Sequence, residues 1–328
     1  MPKRQRGHAN RGESASFGTE IYLDCGTLPL SVRLRTFREG VNVERAPNAH
    51  SAELEVGSAE HRRRLARFFM DTYIDYEPEK IRWPALGAAE RTRLAGLPFW
   101  QEAVATESVT SVKVSAAAQL ESDAELRRAI ELQGFEEKRH ARLLAALTAH
   151  YDIPIQTPPQ HQSQSLENEF LLAGFGECFD SFFAFGLIAI AGDSGYFTPE
   201  LVQIFEPVVQ EEARHILFFV NWVKYRRAQL PWWKRPSFRL RCGYLILKQV
   251  VSRVKTAKAF NGRDSRCAEN FTLTSHQDLG SNLTLRGLLG RCLAENNRRM
   301  ALYDPRLLRP RLVPTLARWF YRILPARV

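Results

Sequence analysis

The pattern Glu-Glu-x-Arg-His occurs twice in this 328-residue chain, at 136–140 and at 211–215, 75 residues apart. On a helix, residues three apart share a face. Glu137 and His140 therefore present a carboxylate and an imidazole together, and so do Glu212 and His215. One such pair can hold a metal ion, and two pairs on facing helices can hold two. A solitary Glu-x-x-His is ordinarily a solvated face whose acids pair with nearby arginines. Two copies in the same form are harder to explain that way.

Helix signals surround both copies. Ser58 can cap a helix running to about Tyr76, with Leu65, Phe68, Phe69 and Tyr73 on one face. A helix follows from about Phe99 to Glu121. Ser122-Asp123 starts another, running to about Tyr151. A third spans about Leu166 to Ala191, and Gly192–Gly195 reads as a turn. Thr198-Pro199-Glu200 opens a fourth, running to about Ala228. Four long helices with short and medium loops predict an all-α four-helix bundle.

Such a bundle can complete a metal site with one Glu from each remaining helix. In an antiparallel pair, residues level with each other lie equally far from the connecting turn. The midpoint of Glu177 and Glu212 falls in the 193–195 turn, and that of Glu107 and Glu137 falls on Ser122. The rival Glu102 would place the midpoint inside its own helix, so Glu107 is preferred. Its same-face neighbours Ala103, Val104, Ser111 and Val114 are small or apolar. A buried carboxylate is costly unless a cation compensates it. Oxygen and imidazole ligands without thiolate favour iron or manganese over zinc.

Around this centre the chain divides into an irregular N-terminal segment (1–57), lead-in helices (58–98), the bundle (99–230) and a basic helical region (231–328). Residues 1–20 read as disordered, and alternation from Leu28 to Leu34, followed by Val41 and Val43, suggests a hairpin. Hydrophobic residues make up 45% and charged residues 25%, which excludes wholesale disorder. Five cysteines (25, 178, 242, 267, 292) include no Cys-x-x-Cys pair, which argues for a reducing compartment. No secretory signal is visible at the N-terminus. The longest apolar run, about Phe179–Ala191, is short for a membrane span. From Lys224 onward, 23 Lys/Arg face 5 Asp/Glu, a net +18, so residues 1–223 carry −8 of the total +10. That asymmetry points to an anionic partner. Leu240–Val254 and Leu302–Leu324 mix basic, apolar and aromatic residues, as an interfacial helix does. The alternative is that these helices pack on the bundle. No nucleic-acid motif is present. The expected place is the cytoplasm, peripherally at the inner face of the membrane.

Glu107, Glu137-x-x-His140, Glu177 and Glu212-x-x-His215 resemble the ligand set of ferritin-like di-iron carboxylate proteins. That superfamily includes rubrerythrins, ribonucleotide reductase small subunits, acyl carrier protein desaturases and bacterial multicomponent monooxygenases. The resemblance covers residues 99–228. The acid-Glu-x-Arg-His form is most similar to the monooxygenase and reductase branch. It implies that Glu211 holds His140 and Glu136 holds His215 across the site; the plainer reading pairs Glu136 with Arg139 and Glu211 with Arg214. The arylamine N-oxygenase branch carries an extra His one turn before the second Glu-x-x-His; here that position is Val208.

The resemblance implies two iron ions, with manganese as the alternative metal. It also implies a reaction with O2, supplied with electrons by an external donor. The expected activity is oxidation or oxygenation of a small, apolar organic substrate. Iron handling without an organic substrate is the second reading, and a membrane-attached scaffold with a vestigial site the third. Phe179 and other phenylalanines near Glu177 could line a pocket or simply form core. Ser181 stands where related monooxygenases carry a hydroxyl, or else permits close helix packing. The remaining histidines (8, 50, 61, 150, 161, 276) read as surface or loop residues.

Overall fold

Short polar side chains start two of the helices where the sequence places caps, whereas the Thr198 side chain makes no cap hydrogen bond. The Ser58 hydroxyl accepts from the His61 amide at 3.1 Å and opens α1 (Ala59–Asp71). Asp123 accepts from the amides of Glu125 and Leu126 at 3.0 and 3.1 Å and opens the long helix after it. A cap of this kind stabilises a helix by about 1 kcal/mol. The structure, a computed structural model, describes residues 54–97, 99–156, 166–261 and 284–325. All belong to one compact unit, Glu53–Val328. The predicted hairpin and the polar N-terminal stretch lie outside the described residues.

The described residues are helical and contain no strand. After α1 come α2 (Ala88–Ala95), α3 (Trp100–Ala118), α4 (Ala124–His150), α5 (Leu166–Ser194), α6 (Pro199–Ile204) and α7 (Glu206–Gln229). The C-terminal region adds α8 (Arg235–Asn261), α9 (Leu285–Met300) and α10 (Leu312–Ile323).

Three boundaries differ from the sequence reading, each for a local reason. α1 stops at Asp71, five residues short of Tyr76, because the chain from Phe69 to Tyr76 gives its carbonyls to two buried arginines. α5 runs through Gly192 and Asp193, and the reversal waits for Gly195, whose φ of +65° suits glycine. The predicted fourth helix is two, α6 and α7, separated at Phe205, because Pro207 sits in the first turn of α7 and cannot donate to a continuous ladder. Pro236 occupies the first turn of α8, where its missing N–H costs nothing.

α5 is apolar nearly all round because it is surrounded: α3, α7, α8, α9 and α10 pack on it. Two glycines permit close approach. A Cβ on Gly174 would strike the Phe219 ring, and one on Gly186 would meet the Cys292 sulfur and stand 2.9 Å from the Cys292 amide nitrogen. By length and composition α5 could cross a membrane, being a longer apolar helix than the 179–191 run suggested. α1 packs on both α4 and α7 and joins Leu65 and Phe69 to a core containing Val114, Ile130, Phe170, Ile216 and Phe218. The basic C-terminal helices pack on the acidic body: Arg241 pairs with Glu167 at 2.7 Å, Arg253 with Asp180, and Arg299 with Glu206 at 2.8 Å. Cys178, Cys242 and Cys292 are free thiols.

Candidate metal centre

Four helices deliver acids and imidazoles to one place. Glu107 comes from α3, Glu137 and His140 from α4, Glu177 from α5, and Glu212 and His215 from α7. Two groups of potential ligand atoms form, each within 4.8 Å internally. One contains Glu107, Glu137, His140 and Glu212; the other contains Glu137, Glu177 and His215. Glu137 belongs to both. Glu102, the rival on α3, is exposed.

The repeat pairs crosswise. His215 Nδ1 lies 2.9 Å from Glu137 Oε1 of the other helix and 3.7 Å from Glu212 of its own. His140 Nδ1 lies 3.2 Å from Glu212 Oε1 and 3.9 Å from Glu137. Each Glu-x-x-His pair thus shares a face but is not a closed unit. The two imidazole rings stand 5.6 Å apart, centroid to centroid.

The outer half of the motif crosses over as well. His140 Nε2 is 2.8 Å from Glu211 Oε2, and His215 Nε2 is 2.8 Å from Glu136 Oε2. The arginines cross too, Arg139 to Glu211 and Arg214 to Glu136 (2.8 Å), rather than pairing within their own helices. All six side chains are buried. Arg139 also donates to the carbonyls of Ile74 (2.9 Å) and Tyr76 (3.2 Å) and lies 3.9 Å from the Tyr76 ring centroid. Arg214 donates to Thr72 Oγ1 (2.9 Å) and the Phe69 carbonyl (2.6 Å). The Tyr76 hydroxyl donates to Glu211 Oε2 at 3.2 Å. The lead-in segment is therefore the outer brace of the centre.

Several supporting residues were missed in the sequence. Gln133, one turn before Glu137, donates to Glu177 Oε2 at 3.3 Å. It occupies the first repeat's counterpart of Val208, so the 75-residue offset could have found it. Tyr76 and Thr72 carry no such signal, because their partners come from far along the chain. His61, read as a surface residue, is buried: its Nε2 is 3.1 Å from Asn221 Oδ1, and burial lowers its pKa.

Electrostatics in the cluster run against full ionisation. Burial pushes the Glu107 carboxyl up to about 8, against His140 and with the charges of Glu137 and Glu212. Burial and the same two carboxylates hold Glu177 well above the usual range. Burial opposes charge on His140 and His215, yet the surrounding carboxylates raise both well above the ordinary histidine range. Burial also opposes ionisation of Glu212, but His140, His215 and a 2.7 Å hydrogen bond from Ser181 outweigh it and bring the carboxyl to about 2.

The residues fit a metal. His140 Nδ1, His215 Nδ1, Glu137 Oε1 and Glu177 Oε1 are buried, make no well-aligned hydrogen bond and lie in the cluster. With Glu211 and Glu136 accepting from the Nε2–H groups, each Nδ1 is the atom left to bind a cation once its proton is displaced.

A cavity of about 300 Å³ ends on Glu107, His140 and Glu212. Its other walls are largely apolar and include Trp100, Ala103, Leu143, Ala184, Ile188 and Val208. Ser181 and Asp180 also line it. Phe179 does not. It is two residues from Ser181, hence on nearly the opposite side of α5, and packs against the core cluster that contains Phe182 and Leu288, with Arg253 over its ring. Phe170, Phe182 and Phe185 are fully buried core, so the phenylalanines of α5 fill space, and what this helix turns to the cavity includes Ser181, Ala184, Leu187 and Ile188. Comparison with protein-family models, with curated proteins and with solved structures finds no match.

Proposed function

We propose that the chain is a ferritin-like four-helix bundle holding two iron ions, and that it oxidises or oxygenates a small apolar organic substrate with O2. The observation that carries this reading is the cavity whose inner end is Glu107, His140 and Glu212. Charge supports two ions. The six carboxylates at 107, 136, 137, 177, 211 and 212 face two guanidinium groups, Arg139 and Arg214. With neutral imidazoles that leaves four uncompensated negative charges, matching two divalent cations.

Glu107, Glu137, His140, Glu177, Glu212 and His215 would hold the ions. Iron bound there would supply the electrons and open coordination positions that reduction of O2 requires. The protein's own contribution is positional. Glu136 and Glu211 fix each imidazole with Nδ1 inward, and are in turn held in place by Arg214 and Arg139. Ser181 donates to Glu212 Oε2 and fixes its orientation. The apolar walls exclude water and favour a substrate with little polar surface. Electrons come from an external donor. Manganese suits the same donor set.

Iron-loaded, reduced protein is incubated with O2 and a panel of small apolar compounds, with product analysis by mass spectrometry. Oxygenated or desaturated product supports the proposal, and its loss in Val208→Trp at unchanged iron content places substrate in the cavity. Iron oxidation and accumulation with no organic product assigns the chain to iron handling instead.

A further inference from the structure

The outer face of α8 carries Leu240, Tyr244, Leu247 and Val251, all exposed, at spacings of four, three and four residues. On a helix these form one stripe. It faces away from the buried side, where Phe238 and Leu245 pack against the body. Arg239 and Lys248 are exposed on the stripe's two flanks. Trp232 and Trp233, 75% and 61% exposed, sit in the short turn before the helix. α10 repeats the design with the same spacing: Leu312, Leu316, Trp319 and Ile323 are exposed, while Val313 and Ala317 are buried. Arg318 and Arg322 are exposed beside its stripe.

A soluble surface rarely lines up large apolar side chains this way on two helices. We infer that the outer faces of α8 and α10 lie in the interface of an anionic lipid bilayer, apolar stripe inward and flanking cations on the phosphates. Charge decides between occupants. The basic side chains are sorted by face: those on the inner side, such as Arg241 and Arg253, are paired with acids of the body, whereas Arg239, Lys248, Arg318 and Arg322 face outward. A second copy of the chain would set two such basic surfaces against each other. A nucleic acid would match the charge but leave the aliphatic stripes in water. An anionic membrane satisfies both the stripes and the charges, and tryptophan is well suited to that boundary. The inference does not depend on which metal the centre holds or what it oxidises.

The test is flotation of the full chain with phosphatidylcholine vesicles, with and without phosphatidylglycerol. The expected result is binding about tenfold stronger or more to the anionic vesicles, weakened by salt. It should fall about tenfold in Leu240→Glu/Leu247→Glu and in Leu316→Glu/Trp319→Glu, with helicity and metal content unchanged. Failure of the wild-type chain to float with anionic vesicles overturns the inference, and so does equal flotation of both double variants. Sedimentation velocity and duplex-DNA binding run alongside. A dimer that the stripe substitutions split, or DNA retention without flotation, assigns the surface to another partner and overturns it equally.

Discussion

Glu211 on α7 holds the Nε2 of His140 on α4 at 2.8 Å, so the acid that supports one helix's imidazole is supplied by the other. The same carboxylate pairs with the buried Arg139. Replacing Glu211 with Gln should leave Arg139 without its counter-charge and His140 without an anionic acceptor. Breaking one partner of a buried pair costs about 3–5 kcal/mol, and loss of such outer support lowers metal affinity about 10–100-fold. Thermal unfolding and metal titration of Glu211→Gln and Glu136→Gln check both. Wild-type affinity in the two variants would show that these bonds are not part of the centre.

Metal binding should release protons. In the metal-free protein Glu107, Glu177, His140 and His215 all hold protons more tightly than ordinary groups. A cation must displace them, so loading near pH 7 should free about four protons per chain, and affinity should rise with pH. An indicator dye in weakly buffered solution reads the release. Affinity that is flat between about pH 6 and 8 would contradict the assignment.

The same shifts set the stability of the metal-free form. All four groups have folded pKa values above their unfolded ones. Their protons therefore favour the fold below the unfolded values, and that contribution is lost as pH rises through the folded ones. Glu212, held at about 2, acts oppositely and loses its contribution as pH falls below its unfolded value. Metal-free protein should lose thermal stability from about pH 6 to 9, while metal-loaded protein should not. Calorimetry of both forms across that range provides the comparison.

Packing of α9 on α5 depends on Gly186, where an added methyl would meet the Cys292 sulfur and amide. Gly186→Ala should destabilise by about 1–3 kcal/mol through overpacking. Gly195→Ala should also destabilise, for a different reason: its φ is positive. Denaturant unfolding separates the two from Gly243→Ala, which meets nothing and serves as the control.

The motif's cooperation was readable from sequence because it is local and repeated. Spacing within a helix brings Glu137 and His140 to one face, and level positions about the Ser122 turn select Glu107 over Glu102, while those about the 193–195 turn pair Glu177 with Glu212. Periodicity also gave the long helices to within a few residues. It did not give the break at Phe205, which depends on one proline. Nor did it show the roles of Phe69, Thr72, Tyr73 and Tyr76. Those residues meet Arg139 and Arg214 only after folding, across 60 or more positions of chain. His61 was misplaced for the same reason: its partner Asn221 is 160 residues away. Of the two readings open for Phe179, core packing is the one its angle on α5 gives.

Metal content per chain tests the central claim most directly. Protein loaded anaerobically with ferrous iron and freed of excess should contain about two iron ions per chain. Glu137→Ala should lose nearly all of it, since Glu137 belongs to both ligand groups. Glu107→Ala should lose much of it, and Glu102→Ala, an exposed position, should lose none. A folded wild-type chain that retains no metal, or a Glu137→Ala variant that retains the full amount, would contradict the account.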